Sequence, residues 1–282
     1  MSSRSRIIGF ITISFILFVT GCFPLHAMRK SRYTSSVVDY LYPNRTVIEQ
    51  PSIPYLSLPL RVGIAFVPES SGKWPMVKTL SRKDKMDLME RISSEFRALQ
   101  FVEDIELIPT DYLTGGGGFT NLDQIKTMYN IDVIALVSYD QVQHTDEGIL
   151  SFSYLTIIGA YVVQGEKNDT NTMIDAVVYD IASRKMLFRA PGTSHIKGSS
   201  TPVNLSEQLR VDSLRGFNQA ADDLVINLKD ELDRFKEKIK EMPKAYTVVH
   251  KAGYTGGGSF GSIYGIVLLI LGGLALWSGR KK

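Results

Sequence analysis

Apolar and polar positions alternate along the middle of the chain with two periods. Leu60 to Val67 alternates and stops at Pro68, which predicts a strand. Ser81 then precedes a stripe of Met86, Met89, Ile92, Phe96 and Leu99, the spacing of one helix face. Asp84 stands at the third helical position, where it completes a capping box. Ile105 to Ile108 reads as a short strand ending at Pro109. Asn121 to Tyr129 reads as a helix with Leu122, Ile125 and Met128 inward, and Val133 to Val137 as a third strand. The order β-α-β-α-β predicts a layered α/β domain. Phe152 to Gln164, Thr172 to Tyr179 and Met186 to Arg189 add three strands, the last two joined by a tight hairpin over Asp180 to Lys185.

A long helix follows. Asn204 and Glu207 have capping-box spacing, and Pro243 ends the run. Leu214, Ala221, Leu228, Phe235 and Met242 recur every seven residues. Phe217 and Leu224 add the intervening seam, and Leu232 and Ile239 fall one place late. About ten turns is long for one small domain. The first half is expected to pack on the sheet. The second half, Lys229 to Glu241, carries dense charge around a thin stripe. It is expected to project, as a solvated spacer or as a partner-binding helix.

The flanks read differently. Phe23 to Pro59 holds five prolines and reads as a tether and a loose arm, packed on the domain by Tyr33, Tyr40, Tyr42 and Tyr55. Ala245 to Gly258 reads as a second tether. Outside them lie two apolar runs. The first, Ile7 to Thr20, follows Arg4 and Arg6 and is too short for a comfortable bilayer span. The second, Phe260 to Trp277, is uncharged and about 27 Å long if helical, enough to span. Arg280, Lys281 and Lys282 behind it put that end on the cytoplasmic side.

Composition sharpens this. The formal charge of +3 rests on the ends: without Arg4, Arg6, Arg280, Lys281 and Lys282, 27 of the 32 basic residues face 29 acidic ones, a net of −2. The basicity is that of targeting segments, and nucleic acid is not an expected partner. The single cysteine, Cys22, allows no disulfide, so the fold stands on its core.

Val19-Thr20-Gly21-Cys22, placed directly after the short apolar run, resembles the lipobox of bacterial lipoproteins. The resemblance implies that Val19, Thr20 and Gly21 are read by the lipoprotein signal peptidase and that Cys22 takes the diacylglycerol. Residue 23 is Phe and not Asp, which implies sorting to the outer membrane. At the other end, Gly256, Gly257 and Gly258, the apolar run and the basic terminus together resemble the GlyGly-CTERM sorting signal. With the lipobox, the whole chain resembles the rhombotarget lipoprotein family. That resemblance implies cleavage near Gly256 to Gly258 by a rhomboid-family protease, the rhombosortase. Two lysines stand at the end where the family favours arginine. Ala176 to Phe188 resembles the small α/β domain of curli-export-type and Tol-associated periplasmic lipoproteins, a fold analogy that carries no function.

No catalytic motif appears. Gly115 to Gly118 precede a helix, but no Lys-Ser or Lys-Thr follows and no dinucleotide pattern is present, so a mobile loop is expected and not a phosphate cradle. His26, His144, His195 and His250 lack metal-ligand spacing, and no serine sits in Gly-x-Ser-x-Gly. His144 with Asp146 and Glu147 reads as a turn, and Asp175 and Asp180 as solvated acids. No cofactor and no metal are expected.

The expected organisation is a signal peptide over 1–21, a tether and arm over 22–59, an α/β domain over 60–203 with a small mixed sheet, the long helix over 204–242, a linker over 243–259 and a transmembrane sorting tail over 260–282. The expected function is that of an exported, lipid-anchored envelope protein processed at both ends, non-enzymatic and serving assembly or interaction. Its precursor belongs in the inner membrane, its mature form on the outer membrane or cell surface. Expected partners are the lipoprotein-processing enzymes, the rhombosortase, membrane lipid and an envelope protein. The rivals are a permanently membrane-spanning periplasmic adaptor and a cell-surface enzyme with an unrecognised site.

Overall fold

The computed structural model describes residues 29–43, 50–69, 80–147, 166–201 and 203–254. Val19 to Cys22, the predicted strand Phe152 to Gln164, Gly256 to Gly258 and the run Phe260 to Trp277 lie outside the described residues. Among the described residues no helix is long and apolar enough to cross a membrane.

The elements in order are β1 (Arg29–Thr34), α1 (Val37–Leu41), β2 (Tyr55–Leu58), β3 (Leu60–Phe66), α2 (Arg82–Phe96), β4 (Val102–Ile108), a 3-10 turn (Thr110–Tyr112), α3 (Gly118–Tyr129), β5 (Val133–Glu147), β6 (Glu166–Asp180), β7 (Lys185–Ser200), α4 (Leu205–Glu241) and β8 (Thr247–His250). The fold is mixed α/β, as the periodicity predicts. One six-stranded sheet has the order β4-β3-β5-β6-β7 with β1 paired to β5 off that path, and a separate two-stranded sheet pairs β2 with β8. The strands β3, β4 and β5 are parallel, and β5, β6 and β7 antiparallel. One edge of β5 is shared: Val133 to Val137 pair with β3, and Asp140 to Thr145 with β1.

Strand alternation divides the core. Val133, Ala135, Val137 and Tyr139 face the side covered by α2 and α4, and Ile134 and Leu136 face the side covered by α1 and α3. Placing α2 and α3 on opposite faces follows from right-handed crossovers, β3 to β4 and then β4 to β5, running in opposite directions across the sheet.

The structure corrects several expectations. The strand predicted to end at Val137 continues to Glu147, so His144, Asp146 and Glu147 belong to a strand and not to a turn. The strand β6 starts before Thr172, and β7 runs on past Arg189 to Ser200. In these extensions the pleat persists but mostly polar side chains carry it: Gln141, Gln143, Thr145, Asn168, Thr170 and Ser200 are buried, with Ala190 and Ile196 among the apolar exceptions. The arm is not loose. Its β1 is a sheet strand, and its α1 is capped by Ser36 and buries Tyr40 and Leu41. The Tyr40 hydroxyl donates to Asn121 Oδ1 at 2.8 Å, and Tyr42 meets Phe119 edge-on, whereas Tyr55 is exposed. The linker after α4 likewise contributes β8, parallel to β2.

At the helix starts, Ser81 and Asp84 form the expected capping box. Asn204 makes no side-chain cap, and Glu207 binds Arg210 instead. The Asn204 N–H donates to the Thr201 carbonyl, and its φ of −100° and ψ of 1° depart from the extended backbone that an N-cap side chain needs. The second half of α4 does not project. Leu228 and Phe235 are buried, with Phe235 between Phe188 and Tyr246 at centroid distances of 5.4 and 5.5 Å. Lys229 pairs with Glu95 at 2.6 Å, Arg91 of α2 pairs with Asp222, and the Lys236 ammonium lies 5.3 Å from the centre of the Phe101 ring. A thin apolar stripe is enough because β2 and β8 supply a second wall for it.

The described chain enters and leaves at opposite poles. Arg29 pairs with Thr145 near the far end of β5. Lys251 donates its N–H to Leu58, and its ammonium binds Glu103 at 2.6 Å and lies 3.7 Å from Asp132, just before β5 begins. At about 3.3 Å per residue these poles lie about 40 Å apart. We call the Thr145 end distal and the Asp132 end proximal.

Candidate functional site

An apolar cavity of about 350 Å³ lies at the proximal pole, beneath the second half of α4. Its floor is the sheet, through Ile64, Ala135 and Val178. Ile92 and Phe96 of α2 form one side. Leu228, Leu232, Phe235 and Ile239 form the roof, and Leu56, Leu58 and Val248 of the β2–β8 pair close the remaining wall. Leu56 and Leu58 face inward together because they stand two apart on a strand.

The polar lining residues are themselves partly or fully solvent-exposed and so form the cavity's rim. Gln100 in the turn after α2, Lys236 and Lys240 of α4, His250 of β8 and Tyr254 just after it supply it, and no carboxylate lines the cavity among the described residues. Lys236 pairs with Asp233, and Lys240 with Glu237, each at 2.7 Å one turn back on α4. The His250 and Tyr254 rings lie 5.4 Å apart. The site is thus a largely hydrocarbon chamber with two lysines among its few polar lining residues, suited to holding an apolar chain.

A second buried cluster lies at the distal pole, where the first half of α4 meets β5, β6 and β7. Gln141 Nε2 donates to Thr172 Oγ1 at 2.8 Å and to the Ser213 carbonyl at 3.1 Å, while Ser213 Oγ donates to Gln141 Oε1 at 2.7 Å. Gln143 Nε2 donates to the Leu209 carbonyl at 2.8 Å, and Ser194 Oγ to that of Gly216 at 2.7 Å. Gln143 Oε1, Asn168 Oδ1 and Asp212 Oδ2 are buried with no hydrogen-bond partner among the described residues. Most of this seam is satisfied within itself, and its hydrogen bonds to helix carbonyls seat the first half of α4 on the sheet.

The residues singled out from sequence do not converge. His195 binds Asp169 at 2.5 Å on an exposed strand face, while His144 is exposed on β5. Asp175 is not a solvated acid: burial raises its pKa, opposed by the Arg189 guanidinium 2.7 Å away. Asp180 is also buried and accepts from the Ser183 N–H at 3.0 Å inside the hairpin. Burial, with the Tyr42 hydroxyl beside it, pushes the Tyr179 phenol up to about 12. Gly115 to Gly118 form the turn into α3, which Asn121 ties down by accepting from the Thr114 N–H at 2.9 Å. Among the described residues no group of three His, Cys, Asp or Glu could hold a metal. Sequence reasoning missed the cavity because one of its walls is built from two segments read as tethers. The pairs Leu56/Leu58 and Val248-Val249 were the available signal.

No protein-family model and no curated protein matches the chain. Among solved structures it is similar to a PelC dodecamer from Paraburkholderia phytofirmans, with a TM-score of 0.26 and 10% identity over 68% of this chain and 99% of that one. A likeness at that level carries no argument about function.

Proposed function

We propose that this is an exported, lipid-anchored envelope protein whose α/β domain stands on a single membrane as a non-enzymatic binding or assembly module. Cys22 carries the lipid, and the segment after Gly256 to Gly258 is a sorting tail removed before the protein reaches the outer membrane or cell surface. The observation that supports this best is the separation of the two poles. Six residues join Cys22 to Arg29 at the distal pole, and five join Tyr254 at the proximal pole to Phe260, seven and six Cα–Cα steps. Whatever their conformation, these links and the 40 Å between the poles span about 90 Å at full stretch. The two-membrane adaptor would need the two membranes to lie within that reach of each other. With both ends in the inner membrane, the domain is held flat along it. Cutting the proximal link leaves it tethered by the distal pole alone, and more than one acyl chain on Cys22 is what stable anchoring requires.

Intact mass of the protein from its native host tests this. The expected species begins at an acylated Cys22 and ends near Gly256 to Gly258. Cys22→Ala abolishes palmitate labelling, and Leu at Gly256, Gly257 and Gly258 holds the protein in the inner membrane with its tail attached. A mature wild-type protein that still contains Phe260 to Trp277 overturns the reading.

A further inference from the structure

We infer that the cavity beneath α4 binds a single-chain anionic amphiphile, with its hydrocarbon tail among Ile64, Ala135 and Leu232 and its head group beside Lys236 and Lys240. The inference goes beyond the anchoring reading and does not depend on how either end of the chain is processed.

Three observations carry it. The first is size. A cavity of 350 Å³ falls within the range of small-molecule sites. At about 30 Å³ per methylene, close to the volume of a water molecule, it takes roughly a dozen carbons. That is room for one such chain. The second is chemistry. The deep lining is aliphatic and aromatic, so it offers water no hydrogen-bond partners. Each methylene moved into it from water is worth about a fourfold gain in affinity. The third is polarity. The charged lining residues are two lysines, both at the mouth, and no described carboxylate lines the chamber. Asp233 and Glu237, which pair with these lysines, have side chains 74% and 64% exposed, so the pairs are weak and a head group can share the ammonium groups. Apolar depth with cations at the opening fits a carboxylate or phosphate head on one chain. A neutral apolar ligand would not use the lysines, and a cationic amphiphile would be repelled by them.

The test uses the full-length protein in membranes of its expression host and a diazirine-bearing dodecanoic acid as photoprobe. Adducts are expected in the peptides of residues 56–64 and 228–239. Excess dodecanoate should remove them and dodecyltrimethylammonium should not. Shortening the competitor to ten carbons should weaken competition more than tenfold. Leu232→Trp, which fills the chamber, should cut labelling at least tenfold. Because that variant could also disturb folding, the rim supplies a second arm. Lys236→Glu with Lys240→Glu should weaken competition by dodecanoate about tenfold while leaving competition by dodecanol unchanged. Adducts confined to residues 260–277 would mean exposure to bilayer lipid only. That result overturns the inference, as does equal competition by the anionic and cationic amphiphiles, or full labelling of a Leu232→Trp protein with wild-type melting.

Discussion

The two halves of α4 lie on the same sheet in opposite ways. The distal half is seated closely, by sheet side chains bonded to the helix backbone. Its Leu209, Ser213 and Gly216 carbonyls accept hydrogen bonds from Gln143, Gln141 and Ser194. A Cβ on Gly216 would come within 2.7 Å of Thr172 Oγ1, and one on Gly192 of β7 would stand 2.1 Å from the Ala220 carbonyl oxygen. The proximal half stands off on large side chains, Leu228, Leu232, Phe235 and Ile239, and the space beneath it is the cavity. Directional polar contacts fix where a helix sits and allow close approach. Apolar contacts with bulky side chains hold it away. One continuous helix with a tight seat at one end and a raised roof at the other creates a chamber without a loop or a hinge.

The largest break in this contrast is predicted at Gly192. The backbone of Ala220 and Leu224 occupies the space a methyl group would need, so Gly192→Ala forces strand and helix apart. It should cost about 3 kcal/mol or more, the upper end of overpacking penalties. Denaturant unfolding of the full-length protein measures this. A loss under 1 kcal/mol would mean that the seat is not set by steric contact.

A matched pair of truncations compares the two halves directly. Phe235→Ala removes a ring packed between Phe188 and Tyr246 and should cost about 3 kcal/mol, the low end for a core Phe because the site borders an existing cavity. Ser213→Ala removes a single oxygen but leaves Gln141 Oε1 buried without its donor, which should cost about 2 kcal/mol. The two losses come from different physics, and calorimetry separates them: the Phe235 variant alone should change the hydrocarbon surface that binds amphiphile. A Ser213→Ala loss below 0.5 kcal/mol would show that the polar seam is not the clamp.

This division also explains what the sequence disclosed. The proximal sheet was legible because Val, Ile, Leu and Ala carry its pleat, as in Ile134 to Val137. The distal extension of the same strands was not, because Gln141, Gln143, Thr170 and Thr172 alternate with other polar residues and leave no hydrophobic period to read. Asn204 and Glu207 had capping-box spacing, but spacing does not set the φ/ψ of the cap residue, and the turn from Thr201 fixes it elsewhere. The cavity was the least legible feature. Its lining comes from α2, α4, the large sheet and the β2–β8 pair, whose strands are four residues each. Lys236 and Lys240 could be read as charge in a charged run, but not as cations at the mouth of a chamber.

The smallest predicted effect applies the same rule, that glycine is required where backbones approach, to the turn before α3. Gly118 has a φ of +59°, and a Cβ there would lie 3.2 Å from the Leu41 carbonyl oxygen of the arm. Gly115 has neither constraint: its backbone is outside the left-handed region and nothing lies within 4 Å of an added Cβ. Gly118→Ala should therefore cost about 1–2 kcal/mol, from left-handed strain and contact with α1. Gly115→Ala should be neutral or stabilising by about 0.5 kcal/mol, because alanine narrows the unfolded ensemble without a folded-state penalty. Thermal melting of the two variants side by side reads the difference. Equal destabilisation by both would mean that the turn needs its glycines for something other than seating the arm. Calorimetry with ATP, GTP and NAD, expected to show no specific heat, would then be the measurement on which the turn's role depends.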